Sequence, residues 1–128
     1  MLHTDTRRYV YDFYKEHLQG KSVVNKDKGI TIHFTSIGRK KIAYGEAMYA
    51  TKAAIITCLK ELLEVAEYNN FGLRKTKDKS NILGYLNFKA KVMIDGQLKH
   101  VRIAVVMTKD YKFYYNHEVN IIKENPTP

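Results

Sequence analysis

The stretch Tyr85-Leu-Asn-Phe-Lys-Ala-Lys-Val-Met-Ile-Asp-Gly-Gln-Leu-Lys-His-Val-Arg-Ile103 decides how this chain is read. Leu86, Phe88, Ala90 and Val92 alternate with Tyr85, Asn87, Lys89 and Lys91, the period of a half-buried strand. Asp95-Gly96 is the dipeptide a type I′ turn prefers, because both central residues of that turn need positive φ. A two-residue loop pairs Ile94 with Gln97, and so sets Lys91 across from His100 and Lys89 across from Arg102. Val101, Ile103, Val105 and Met107 then share the apolar face with Leu86 and Phe88. The opposite face is basic. Like charges directly across a sheet repel, so this pattern asks for a compensating anion.

A third antiparallel strand follows over Tyr111–Val119, and two registers are open for it. A two-residue turn at Lys109-Asp110 puts His117 opposite Arg102 on the basic face. A three-residue turn instead sends Phe113 and Tyr115 to the core, with Lys112, Tyr114 and Asn116 facing out beside Arg102. The apolar pattern favours the second.

Upstream, residues 4–19 have helical spacing, with Thr4, Asp5 or Thr6 as N-cap and Gly20 as the residue after the C-cap. Its apolar stripe is Val10, Phe13 or Tyr14, and His17 or Leu18. Residues 21–25 and 30–35 read as two short strands, the second with Ile30, Ile32 and Phe34 on one face and Thr31, His33 and Thr35 on the other. The loop Ser36–Lys41 carries the consecutive cations Arg39, Lys40 and Lys41. Glu46–Tyr68 is read as one long helix with Met48, Ile55, Leu59, Leu62 and Ala66 on its core face, and Asn69–Ser80 as an exposed connection. The fold expected is α+β: an N-terminal helix, a short β-hairpin, and one long helix packed on an antiparallel sheet of about four to five strands.

Composition sets the outer bounds. The 128 residues are 45% hydrophobic and 27% charged, enough for one domain, placed at 1–125 with a disordered tail at 126–128. A net charge of +9 suits a polyanion, nucleic acid first. A single cysteine, Cys58, excludes an internal disulfide, and the four-cysteine and Cys-His zinc patterns are absent. No apolar run reaches the roughly 20 residues that span a bilayer, and the N-terminus lacks the apolar core of a signal peptide. A soluble protein without membrane association is expected.

Several stretches resemble a known group. Lys21-Ser-Val-Val-Asn-Lys-Asp-Lys-Gly-Ile30, Phe34-Thr-Ser-Ile-Gly-Arg-Lys-Lys41, the helix from Ala54 to Tyr68 and Tyr114-Tyr-Asn-His-Glu118 look like the nuclease-like domains of phage and polyvalent proteins in the barnase–EndoU–colicin–RelE superfamily, and most like the large polyvalent protein-associated domain type 3. The likeness covers roughly residues 20–119 and rests on the order of weak motifs. It implies a metal-independent endoribonuclease, toxin- or effector-like, with no cofactor. RNA (tRNA among the candidates) would be the substrate, an acidic immunity or inhibitor protein a further partner, and the cytoplasm of the producing or target bacterial cell the location.

Metal-free RNA cleavage uses the 2′-hydroxyl as nucleophile, a base to take its proton, an acid for the 5′ leaving oxygen, and cations for the phosphorane. The sequence offers His33 and His100 for proton transfer, Arg102 and Lys91 as phosphate clamps, and Tyr114 or His117 as a further member. Arg39, Lys40, Lys41, Lys89 and Lys112 are candidate substrate contacts. A non-catalytic nucleic-acid-binding module and a protein-interaction domain of a phage or mobile-element protein are the alternative readings of the same surface.

Overall fold

In the computed structural model, residues 3–36, 50–74, 81–115 and 119–122 are described. Helical spacing at the start becomes α1 (His3–Phe13), which runs into one π-helical turn over Tyr14–Leu18, closed by the Gln19 N–H donating to the Tyr14 carbonyl at 2.8 Å. The stripe resolves as Val10, Tyr14 and Leu18, all buried. Gly20, at φ +83°, turns the chain into β1 (Ser22–Val24), which forms an antiparallel hairpin with β2 (Thr31–Phe34).

The long helix does not form as one rod. It is two pieces, α2 (Ala50–Thr57) and α3 (Leu59–Val65), broken at Cys58. Three consecutive β-branched residues, Ile55, Ile56 and Thr57, precede the break and weaken a helix there. The Thr57 hydroxyl also donates to the Ala54 carbonyl at 2.7 Å, and adjacent Ile55 and Ile56 are both fully buried. The start expected at Glu46 lies outside the described residues, as do most of the loop to Lys41 and the tail at 126–128.

Helix expectation also overran at the far end. Ala66 is extended, and Glu67–Leu73 forms β3 instead of a helix end followed by a connection. With two adjacent asparagines and a glycine, this stretch has little β-propensity of its own. Pairing with β4 (Ile82–Ile94) makes it a strand, with a bulge at Asn69 absorbing the mismatch. Gly84 belongs to this contact: a Cβ there would run into the Phe71 ring and the Gly72 carbonyl.

β4 pairs with β5 (Gln97–Thr108) in the register the Asp95-Gly96 turn dictates: Ile94 with Gln97, Lys91 with His100, Lys89 with Arg102. Asp95 and Gly96 have φ of 51° and 76°, as a type I′ turn requires. After β5 the three-residue turn is the one formed. Thr108 exchanges backbone bonds with Lys112 and Tyr111, Tyr111 takes φ +62°, and the Thr108 hydroxyl donates to the Asp110 carboxylate. β6 (Phe113–Tyr115) therefore sends Tyr115 into the core and pairs Val106 with Tyr114.

Among the described residues the sheet has seven strands, more than the four to five expected. Six run in the order β1-β2-β6-β5-β4-β3, and β7 (Val119–Ile122) pairs with β5 beyond β6. The sheet is mixed, since β2 and β6 are parallel. One hydrophobic cluster joins the helices to Ile32, Phe34, Leu86, Phe88, Val101, Ile103, Val105 and Tyr115, leaving the other sheet face for polar groups.

Asn25 ties these layers together. Fully buried, it donates through Nδ2 to the Leu63 and Ala66 carbonyls at 2.7 and 2.9 Å, and its Oδ1 accepts the Lys28 N–H at 2.8 Å. The hairpin turn thus caps the C-terminal end of α3. Asn25→Ala is expected to lower stability by about 1–3 kcal/mol by stranding two buried carbonyls, and Gly84→Ala by a similar ~1–3 kcal/mol through overpacking. Urea denaturation of each variant checks both values.

Candidate functional site

The helix-free face of the sheet, among the described residues, is ordered in rows by strand register. One row runs Glu67, Lys89, Arg102 and Asn120 across β3, β4, β5 and β7; the next is Lys91 and His100. Lys89, Lys91 and Arg102 are exposed and His100 is half-buried. No ion pair joins any of the three exposed cations to a carboxylate among the described residues, so their charge is available to a ligand.

A second row lies at the other end of the same face: His33, Tyr114, Val106 and Tyr85 across β2, β6, β5 and β4. His33 and Tyr114 have ring centroids 5.8 Å apart with planes tilted by 43°. Val106 and His100 are six residue steps apart along β5, which is about 20 Å along a strand. That distance corrects the expected constellation. His33 and Tyr114 meet each other, but they are too far from His100 and Lys91 to act on one phosphate. Nor does Tyr114 stand beside Arg102; its neighbour is Val106.

The remaining candidates divide similarly. Arg102 pairs in register with Asn120, and His117 lies outside the described residues. Arg39, Lys40 and Lys41 also lie outside the described residues. Lys112 is exposed near the Thr108–Lys112 turn, its Nζ 3.8 Å from the Asp110 carboxylate, away from the cationic rows.

At the cationic end β3 stops at Glu67 while β4 continues, and a cleft of about 430 Å³ opens there. Val65, Glu67, Lys89, Ala90, Lys91 and His100 line it. Glu67 is the residue sequence reading missed, because helical periodicity had absorbed it. Its position is fixed by the β1–β2 turn. Asn25 holds the Ala66 carbonyl, the Asp27 carboxylate accepts the Tyr68 N–H at 2.8 Å, and Lys28 Nζ sits 4.5 Å from the Tyr68 ring centroid. Glu67 is clamped on both sides. The cleft therefore combines a carboxylate, an imidazole and two ammonium groups, the set that moves protons around a phosphate while balancing its charge.

The model of the large polyvalent protein-associated domain 3 family matches residues 3–115. The chain belongs to that family. No curated protein matches it, and no solved structure does. Among the described residues, no helix is long and apolar enough to cross a membrane, and no cluster of three or more His, Cys, Asp or Glu side chains is arranged to hold a metal.

Cys58 has no place in this site. Its Sγ lies 3.4 Å from the Ile55 carbonyl oxygen and 3.6 Å from that of Ala54, and burial, then the Glu61 carboxylate, pushes the thiol up from its ordinary value. The thiol, the unreactive form, is favoured to higher pH than in a free cysteine. Iodoacetamide is expected to alkylate Cys58 more slowly than a small free thiol at about pH 8, with the gap closing as pH rises. Mass-spectrometric alkylation rates check this, and an equal rate at the lower pH contradicts it.

Proposed function

We propose that the cleft is a metal-independent ribonuclease site. The observation that carries this reading is that Glu67 and His100 line one cleft together with Lys89 and Lys91. A carboxylate can only accept a proton near neutrality, whereas an imidazolium can donate one. Glu67 is accordingly the base that takes the 2′-hydroxyl proton, and His100 the acid.

The 2′ oxygen bonds to phosphorus as the bond from phosphorus to the 5′ oxygen breaks, and His100 delivers its proton to that leaving oxygen. The products are a 2′,3′-cyclic phosphate and a free 5′-hydroxyl. Lys89, Lys91 and Arg102 hold the nonbridging oxygens as negative charge grows on them, with the Arg102 guanidinium able to grip two at once. Relative to the two-histidine scheme read from sequence, Glu67 replaces His33. The likeness to the barnase–EndoU–colicin–RelE superfamily supports the same chemistry.

Cleavage of RNA is expected in the presence of chelator, leaving cyclic phosphate ends. Glu67→Gln and His100→Ala should each reduce kcat by about 10²–10⁴-fold, and Arg102→Ala by about 10²–10³-fold. A 2′-deoxy nucleotide at the cleavage position should block the reaction. Failure to cleave any RNA offered, tRNA included, would reject the catalytic reading.

The second reading, a nucleic-acid-binding module, is favoured by the exposure of Lys89, Lys91 and Arg102 on a face without compensating ion pairs among the described residues. It expects salt-steep binding without turnover. Each cation replaced by alanine should then flatten the slope of log K against log salt by about one.

A further inference from the structure

The row at the far end of the face, His33, Tyr114, Val106 and Tyr85, has no part in the cleft chemistry. Its composition is unlike a solvated sheet surface. Tyr114 and Tyr85 stand on either side of Val106 in adjacent strands, and His33 continues the row beyond Tyr114. Val106 is only 3% exposed although it points away from the helices, which leaves the two half-buried tyrosines and the exposed histidine as the surface of the row.

Between this row and the cations lies a row of amides. Asn87 faces Ala104 on one side and Asn70 on the other, and Asn87 Nδ2 donates to Asn70 Oδ1 at 2.8 Å. That bond leaves Asn87 Oδ1 as an acceptor and the Asn70 amide nitrogen as a donor. From one end of the face to the other, the order is therefore aromatic rings, paired amides, cations, then the cleft. Among the described residues of these rows Glu67 is the only carboxylate, and it stands at the cleft.

We propose that this face is a track for single-stranded RNA, in which Tyr85 and Tyr114 stack unpaired bases upstream or downstream of the phosphate held at the cleft. The proposal rests on the ribonuclease reading for the polarity of the substrate. The chemistry selects single strands. A base already stacked in a duplex has no face left for an aromatic ring, and an open sheet with aromatic side chains and flanking cations meets unpaired bases and phosphates together. The separation of about 20 Å between the aromatic row and the Lys91–His100 row suits a strand of about four nucleotides, the lower end of sites of this kind. Asn70 and Asn87 lie where base edges would pass, so they contribute hydrogen bonds that phosphate-binding groups do not.

The test uses the full chain carrying Glu67→Gln, so that the RNA stays intact, and fluorescence anisotropy with a labelled, unstructured RNA of about ten nucleotides. A blunt duplex of the same sequence is the comparison ligand. Tyr85→Ala and Tyr114→Ala are each expected to weaken single-strand binding by about 5- to 100-fold, with a smaller effect on the duplex. Tyr85→Phe and Tyr114→Phe keep the ring and should bind within about twofold of the parent. Alanine variants that bind as tightly as the parent overturn the track. So do phenylalanine variants that lose as much as the alanine ones, since the ring would then not be the binding group. The two proposals fail separately: an unmodified chain that binds through the tyrosines but cleaves no RNA keeps the track and loses the nuclease. One that cleaves RNA yet ignores the tyrosine substitutions does the reverse.

Discussion

Everything on the polar face depends on one locked register, that of the β4–β5 hairpin. Strand side chains alternate with period two, so a slip of one residue would bury Lys89, Lys91, His100 and Arg102 and expose Phe88, Val101 and Ile103. Two forces prevent it. The left-handed pair Asp95 and Gly96 admits a two-residue turn that matches the twist of the strands. Burial of Phe88, Val101, Ile103 and Val105, all fully enclosed, makes the slipped state lose the centre of the core. Since that burial far outweighs the repulsion between facing cations on a solvated surface, the sheet holds Lys91 against His100 and Lys89 against Arg102 regardless of whether a ligand is bound.

A second constraint acts from the opposite layer. Asn25 satisfies the carbonyls at the end of α3, and its neighbours Asp27 and Lys28 grip Tyr68. The short β1–β2 turn consequently decides where the helix stops and where β3 starts. Glu67 sits between two of the residues it holds. A surface carboxylate with no ion pair in the described residues is in this way held at the cleft through contacts to its two chain neighbours, a more rigid arrangement than a long side chain reaching from a helix.

The two ends of the polar face differ in what they offer. The cationic end has charge, proton donors and acceptors, and a cleft; the aromatic end has the rings of Tyr85, Tyr114 and His33. A polymer with both phosphates and bases can use both ends at once, which a small anion cannot. Family membership shows the kind of domain this chain is, and the division of its surface is what gives that domain a chemistry to test.

By itself the sequence determined the local features whose causes are local. Alternation and the Asp95-Gly96 dipeptide sufficed for the hairpin and its cross-strand pairs, and helical spacing with Gly20 sufficed for the first helix. Exposed basic residues opposite an apolar set were legible for the same reason. Tertiary structure decided what depends on distant partners. Pairing with β4 made a strand of Glu67–Leu73 against its own propensity, and three β-branched residues with a buried isoleucine pair broke the helix at Cys58. Parallel pairing with β2, invisible to any local pattern, drew Tyr114 to His33 and away from Arg102. Period-two alternation tells which face a side chain occupies. How far apart two side chains lie along that face is set by the register between strands remote in sequence, and that is why Glu67 and His100 line one cleft while His33 stands at the other end of the face.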